Sequence, residues 1–312
     1  MNRFSFLLKR PVQLVPVVIG ISLITFVLLQ LTPGDPVRLM LGPKASQEAI
    51  DFVRARYGLD QPVLIQYFYY LLNAARGDFG QSIAFRAPVG DVILERIAPT
   101  IYLLLYGLVI SILLTLALAV TAARNRGRWF DHIIRFLCVA GVGVPSYFIG
   151  LLLIMGFCLR LKLFPVSGYG PTLANNLWHL FLPALTIGIA VTPILTRNLR
   201  ATFIEQMDTD YATACRSKGV PERAIFWRHV FWNSLLPTIN LLGVVVAFLI
   251  GGTVVIENVF NIPGLGNLLI RAVLTRDYFV VQAVTLILAF GVVLSNFVVD
   301  VITAMLDPRV KL

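Results

Sequence analysis

Residues 101–120 read "IYLLLYGLVISILLTLALAV", twenty consecutive positions without a charge. A helix of about 20 apolar residues crosses the hydrocarbon layer of a bilayer. Stretches of the same character lie near 10–31, 100–122, 134–160, 181–199, 236–257 and 280–304. Each is continuously apolar, whereas a membrane strand alternates every second residue, and in lipid a lone segment must satisfy its own backbone groups. The expected fold class is therefore all-α, an integral membrane protein with about six transmembrane helices. Charged residues are 13% of the chain, well below the ~25% of soluble domains. The first run, Val12–Leu31, exceeds a secretory apolar core and precedes no small-residue cleavage pattern, so it reads as a retained span. Pro145 interrupts the third stretch, and the fourth is short and holds Pro183 and Pro193.

The net charge of +10 follows the loops and forms no nucleic-acid stripe. Arg3, Lys9 and Arg10 precede the first span, Arg124, Arg126 and Arg128 follow the second, and Arg197, Arg200, Arg216, Lys218, Arg223 and Arg228 lie around the 197–235 loop. Arg309 and Lys311 close the chain. The opposite short loops carry only Arg160, Lys162, Arg271 and Arg276, so the bias of lysine and arginine places both termini in the cytoplasm. The 32–99 segment, balanced at seven basic and seven acidic residues, then faces outward. It is too long for a bare loop, and "SQEAIDFVRARYGLD" and "PVLIQYFYYLLNAARGDFG" read as short helices that end at glycine.

The segment "DTDYATACRSKGVPER", 208–223, is polar between two spans. Asp210 suits the N-cap of a helix starting at Tyr211, Arg216 and Lys218 suit its negative end, and Gly219 suits the left-handed C′ position. Pro221 fits the first turn of a second helix, whose N-terminus Glu222 complements. A helix of about eight residues, ~12 Å long, is not stable alone in water. Tertiary packing or a partner must hold it, and spacing alone leaves an ordinary surface loop equally open.

"TACRSKG" with the later "LLP" resembles the EAA loop of ATP-binding-cassette (ABC) importer permeases, with Thr213, Ala214 and Cys215 at the Glu-Ala-Ala positions, Gly219 at the glycine and Leu236-Pro237 at the end. Only the central alanine of the triplet is kept. "LTPGDP" (31–36), "YGLDQP" (57–62), "GDFGQS" (77–82), "FPVSG" (164–168), "ENVFNIPGLG" (257–266), "RDYFVVQ" (276–282) and "LDPR" (306–309) resemble, in order, segments of the dipeptide/oligopeptide/nickel family of these permeases. That family also has the longer gap after the loop glycine. Phe279 stands where the family pattern has proline, and "TPGDP" points to the first of two permease subunits.

The resemblance implies a type I ABC importer permease fold in a bacterial cytoplasmic (inner) membrane. Its parts are a first helix within 1–31, an external helical segment 32–93, a permease domain 94–305 with a coupling loop 200–235, and a tail 306–312. It implies half of a translocation pathway, in which Asp210, Tyr211, Ala212, Thr213, Ala214, Cys215, Arg216, Lys218 and Gly219 form a helix docking on a cytoplasmic ATPase. The implied partners are a second homologous permease, one or two ABC ATPases, an external solute-binding protein and membrane lipid. Di- and oligopeptides are the implied solutes, with nickel complexes, glutathione or another small solute as alternatives. No cofactor is expected on this chain, and ATP and magnesium belong to the ATPases.

Other residue patterns agree. No GxxxxGK[ST] phosphate loop occurs, so the chain is expected to be non-catalytic. His132, His179 and His229 lack metal or catalytic spacing, and Cys138, Cys158 and Cys215 read as core cysteines. A self-sufficient ion-coupled carrier places ionisable groups in mid-membrane. Here Glu257 and Asp300 lie near span ends and read as inter-helix hydrogen-bonding groups. Gly141, Gly143, Gly150, Gly251 and Gly252 suit close helix packing, within this chain or against a second permease.

Overall fold

A computed structural model describes residues 3–31, 36–41 and 45–306, with side chains of the first helix from Val15 onward. Most of "LTPGDP", the tail 307–312 and the side chains of Arg3, Lys9 and Arg10 fall outside the described residues. The described chain is helical, and its one β-bridge joins Gln81 to Pro88.

The elements are α1 (Arg3–Gln30), α2 (Pro36–Leu41), α3 (Gln47–Tyr57), α4 (Val63–Ala75), α5 (Val89–Arg124), α6 (Trp129–Val142), α7 (Ser146–Leu153) and α8 (Leu173–Met207). There follow α9 (Asp210–Ser217), α10 (Glu222–Ile225), α11 (Phe231–Val259), α12 (Leu265–Leu274) and α13 (Tyr278–Leu306). A π-helical stretch, Ile154–Arg160, extends α7, and another, Phe226–Val230, joins α10 to α11.

Among the described residues α5, α8, α10 with α11, and α13 are long and apolar enough to cross a membrane, and α1 adds the shorter apolar stretch Val15–Gln30. The third expected span needs correction. Residues 134–160 do not form one straight helix, because α6 and the Ser146–Arg160 helix meet at 106°. Pro145 lacks an amide proton and disfavours helical backbone at Val144, so the chain breaks there and restarts with Pro145 as N-cap. The fourth expected span, 181–199, is too short: α8 runs 35 residues through both Pro183 and Pro193. The prolines are tolerated because α8 is the central helix, with 67% of its most apolar window buried against 11–33% in the other long spans.

The most extensive pairing is α5 with α8. Leu103, Gly107, Ser111, Thr115 and Ala119 form one buried face of α5 at four-residue spacing. A Cβ at Gly107 would meet Ile187 at 2.7 Å, and one at Gly188 would meet Ile110, so each glycine admits the other helix's isoleucine. This is small-residue packing, which lets helices approach where lipid offers no hydrophobic drive. Of the glycines singled out by sequence, Gly141 abuts Pro193 and Gly150 abuts Phe260, whereas a Cβ at Gly251 or Gly252 would meet nothing within 4 Å. Among the described residues nothing packs closely against the last two.

The bundle has two polar ends. One carries the α5–α6 loop, α9 and α10, and the other carries α2–α4, the 77–88 loop and α12. The 32–99 helices end as expected. Gly58 and Gly77 take left-handed φ of +64° and +79° just after α3 and after the Arg76 cap of α4. Helix α4 leans on α1, where Tyr67 and Ser22 hydroxyls lie 2.8 Å apart and Gln30 donates to Gln66 at 2.8 Å.

Candidate functional site

Helix α9 is held by its own chain. Ala212 is fully buried in a cluster with Ala119 and Ala123 of α5, Leu199 and Phe203 of α8, and Ile225, Phe226 and Val230. Tyr211, Cys215 and Val220 pack at its edge, so tertiary packing supplies what eight residues of isolated helix cannot. The Tyr211 hydroxyl lies 3.4 Å from both Gln206 Oε1 of α8 and Asn233 Nδ2 of α11. His229 stands edge-on to its ring. The π-helical stretch turns Phe226 and Val230 inward together while Trp227 stays 41% exposed.

The ends of α9 differ in how well the residues announce them. Asp210 is not the N-cap: Thr209 holds that position with extended backbone, and Asp210 is the first helical residue. The Thr209 hydroxyl donates to Gln206 O at 2.7 Å, at the end of α8, and accepts from no amide of α9. Asp210 still places its charge at the positive helix end. At the other end Gly219 has φ +77°, its amide donates to Arg216 O at 2.9 Å, and Val220 N donates to Cys215 O at 3.1 Å. This is the paired-bond glycine stop, with Lys218 as C-cap and Gly219 at C′.

Arg216 staples three helices. Its Nε donates to Glu222 Oε1 at 2.6 Å and its Nη1 donates to Met207 O, the last carbonyl of α8, at 3.0 Å. The guanidinium thereby sits at the negative end of α8 while its carboxylate partner opens α10. Sequence spacing assigned Arg216 only to its own helix end. Asp210, Thr213, Ala214, Ser217, Lys218 and Gly219 remain exposed on the outer side of this rigid unit, Cys215 is half-buried and Ala212 points inward. Nearby, Asp131 accepts from Arg200 Nε and Nη2, both at 2.6 Å, and from Gly127 N at 3.0 Å, fastening α6 to α8. Asp208 pairs with Arg126 at 2.8 Å, but both are more than half exposed and the pair adds little.

At the far end two buried carboxylates fix α12. Glu257, fully buried in α11, accepts from Thr100 Oγ1 at 2.6 Å, Gly266 N at 2.7 Å and Asn267 N at 3.1 Å. Thr100 Oγ1 in turn accepts from Leu265 N at 2.8 Å. The first amides of α12, which have no partner within the helix, are thus satisfied by α11 and α5. Gly264 and Gly266 explain themselves here: a Cβ on Gly264 would strike the Glu257 carboxylate, and one on Gly266 the backbone of Val254. "ENVFNIPGLG" is therefore one closed turn, with Asn261 in the left-handed region at φ +47°. After α12, Asp277 is fully buried and accepts from Ser82 Oγ at 2.5 Å and Ala84 N at 3.0 Å. Phe279 lies against Gly80, where a Cβ would approach its ring to 3.0 Å, so "GDFGQS" and "RDYFVVQ" form one junction. The structural reading of Glu257 holds. Asp277 was not singled out by sequence, although its place in "RDYFVVQ" next to a helix start was the available signal.

A bundle of long apolar helices with a short docked helix, α9 or α12, fastened at each end defines a polytopic membrane protein. Comparison with known proteins makes the class specific. Residues 111–312 match the binding-protein-dependent transport system inner membrane component family, and residues 3–104 match the N-terminal region of such membrane components. The chain belongs to this family and is a permease component of a binding-protein-dependent ABC importer, a multi-pass inner membrane protein. It is 38% identical over 308 residues to the glutathione transport system permease protein GsiC of Escherichia coli K12, covering 98% of this chain and 99% of that protein. The protein of the same description from Shigella flexneri serotype 5b is 37% identical over 308 residues. The fold resembles the inward-facing MetNI methionine ABC transporter with a TM-score of 0.59 at 15% identity, over 69% of this chain and 96% of that one. It also resembles an amino acid ABC transporter solved with histidines, with a TM-score of 0.52 at 14% identity, over 70% and 94%.

Proposed function

We propose that this chain is one of two homologous permease subunits of an ATP-driven importer of di- and oligopeptides, coupled through α9 to a cytoplasmic ATPase and fed by an external solute-binding protein. The observation that carries the reading is the mounting of α9. A short helix locked to α5, α8 and α11, with one face left bare, transmits a push from a partner to three long helices at once. The Arg216 staple makes that transmission stiff, because α9 cannot tilt without breaking contacts to α8 and α10. ATP and magnesium belong to the partner in this reading, and this chain supplies no nucleotide chemistry.

Peptide as the solute class draws support from the relatives named for glutathione, a tripeptide. Glutathione itself is the second reading, on the same similarity. Uptake of labelled dipeptide, oligopeptide and glutathione by cells with and without this gene separates them. Loss of dipeptide and oligopeptide uptake is the expected result, and loss of glutathione uptake alone decides for the second reading.

In this reading α9 and both termini lie in the cytoplasm, a topology supported by the lysine and arginine bias of the loops. Cysteines introduced at exposed Ser46 and at Asn125, in a background lacking Cys138, Cys158 and Cys215, are expected to react from opposite sides, Ser46→Cys from outside. Labelling from the same side overturns the topology. Reconstituted alone in liposomes, the chain is expected neither to hydrolyse ATP nor to concentrate solute. Uptake driven by an ion gradient in that preparation would assign it to the self-sufficient carriers.

A further inference from the structure

We propose that α4 is immersed in the membrane leaflet opposite α9, with Leu64, Phe68 and Leu72 turned to lipid acyl chains. From Gln61 to Ala75 the chain carries no charge, while Asp60 and Arg76 stand just beyond. At 13 residues, about 20 Å, α4 is too short to cross a hydrocarbon layer of about 30 Å. An apolar helix of this length belongs in a protein core or along a membrane interface. A core is excluded, since none of its residues is buried.

The polar side of α4 faces its own chain. Gln66, Tyr70 and Asn73 line a cavity of about 120 Å³ shared with Gln30 of α1 and Gln282 of α13. Gln66 accepts from Gln30 at 2.8 Å, Tyr67 donates to Ile19 O at 3.0 Å, and the Tyr70 hydroxyl approaches Gln282 O to 3.4 Å. On the opposite face Leu64, Ile65, Phe68 and Leu72 are 36–81% exposed. A surface helix in water has the reverse arrangement, with its apolar stripe toward the protein. Lipid favours this one, because polar side chains in hydrocarbon must find their partners inside the protein.

Depth along α1 identifies what covers that face. The chain carries no charge between Arg10 and Asp35, and Ser22 stands at the middle of that run. The Tyr67 hydroxyl lies 2.8 Å from Ser22 Oγ, and the rings of Tyr67 and Tyr70 lie 5.4 and 6.2 Å from that of Phe26. Between Ser22 and Gln30, the last residue of α1, the helix rises about 12 Å. A tyrosine side chain is shorter than that, so the backbone at Tyr67 lies below the end of α1. Ile24 and Val27, turned away from Ser22, are exposed at the same level of this span, where the surrounding medium is hydrocarbon. The apolar face of α4 continues that surface, and helical backbone is the form that hydrocarbon tolerates.

The test places a nitroxide on single cysteines of the full-length chain, in a background lacking Cys138, Cys158 and Cys215. The labelled protein is reconstituted in nanodiscs of phosphatidylcholine and phosphatidylglycerol, alone and within the assembled transporter. Paramagnetic resonance then reads collisions with oxygen, which dissolves in hydrocarbon, and with a polar nickel chelate, which does not. Labels at Leu64→Cys, Phe68→Cys and Leu72→Cys are expected to give an oxygen-to-nickel ratio about tenfold above that of Ser46→Cys. The ratio at Ile24→Cys, on the exposed side of α1, is the lipid reference that they are expected to match. Three positions on one face keep the test decisive if one variant fails to insert. The ratio reports depth and not side, so a reversed topology, or a solute other than peptide, leaves the expected result unchanged. Collisions dominated by nickel at all three positions place α4 in water and overturn the proposal. Protection from both reagents, in the chain alone or in the transporter, shows that protein covers the face and also overturns it.

Discussion

Glu257→Ala is expected to be the most damaging single substitution in the chain. It removes the acceptor for the Thr100 hydroxyl and the amides of Gly266 and Asn267, all in a site from which water is excluded. Each buried group left without a partner costs about 1–3 kcal/mol, so the loss is on the order of 3 kcal/mol or more before the cavity is counted. Helix α12 then loses its attachment to α5 and α11 at the end where its amides need it most. The expected result is a sharply lowered yield of folded protein, a fall in the thermal midpoint in detergent, and no transport. Glu257→Gln is expected to be milder, because the amide oxygen still accepts from the α12 amides. Its NH2 group donates to Thr100 Oγ1, whose hydroxyl turns to Arg96 O, already 3.5 Å away. Unfolding midpoints of the two variants, measured side by side, decide the matter. Equal stability of Glu257→Ala and wild type would show that α12 is held by its apolar contacts alone.

Gly219→Val acts on the opposite end and by a different route. A Cβ at Gly219 would meet no atom within 4 Å, so the substitution causes no clash. What it meets is the backbone itself: φ is +77°, and a β-branched residue there costs roughly 1–2 kcal/mol. That energy is comparable to the two bonds that end α9, Gly219 N to Arg216 O and Val220 N to Cys215 O. Relief of the strain therefore frays the last turn and tilts the exposed face of the helix. Insertion and the fold of the spans are expected to be unchanged, while transport falls steeply. In the full complex the ATPase is expected to dissociate or to lose its stimulation by the solute receptor. Gly219→Asn, which tolerates the left-handed conformation, is expected to recover much of the activity. Thr213→Ala provides the control, since Thr213 is exposed and its hydroxyl bonds only to Thr209 O within the turn. Normal assembly and stimulated ATP hydrolysis in Gly219→Val would reduce the 208–237 segment to a passive connection.

Membrane-spanning helices, the glycine stop after α9 and the helix ends at Gly58 and Gly77 were legible from residues alone. Each rests on a property that a residue carries with it: the transfer free energy of a long apolar run, or the freedom of glycine at positive φ. Resemblance drew attention to the 208–237 segment and the far-end motifs, and the family match bears out the resemblance to the permease family. The cap of α9 was misread because Asp and Thr are both good caps, and the side chain of Thr209 is drawn to Gln206 by the end of α8. Likewise Pro145 marked an interruption, but the 106° bend depends on where α7 must go to pack on α8.

The sequence by itself determined that the chain is helical, that it crosses the membrane repeatedly, and where its charged turn stops. Tertiary structure alone decided which groups meet. Thr100 and Glu257 are 157 positions apart, and Ser82 and Asp277 are 195 apart. Nothing local distinguishes a span-end carboxylate that staples a short neighbouring helix from one that faces water. Its role depends on which donors the packing of α5, α11 and α12 brings within reach once water is gone. The same holds for Gly107 and Gly188, whose value lies in the isoleucine opposite, and for Ala212, which became the anchor of α9 only because α5 and α8 left a pocket for it. Apolar periodicity sets how much surface a helix must hide, and close packing chooses against what.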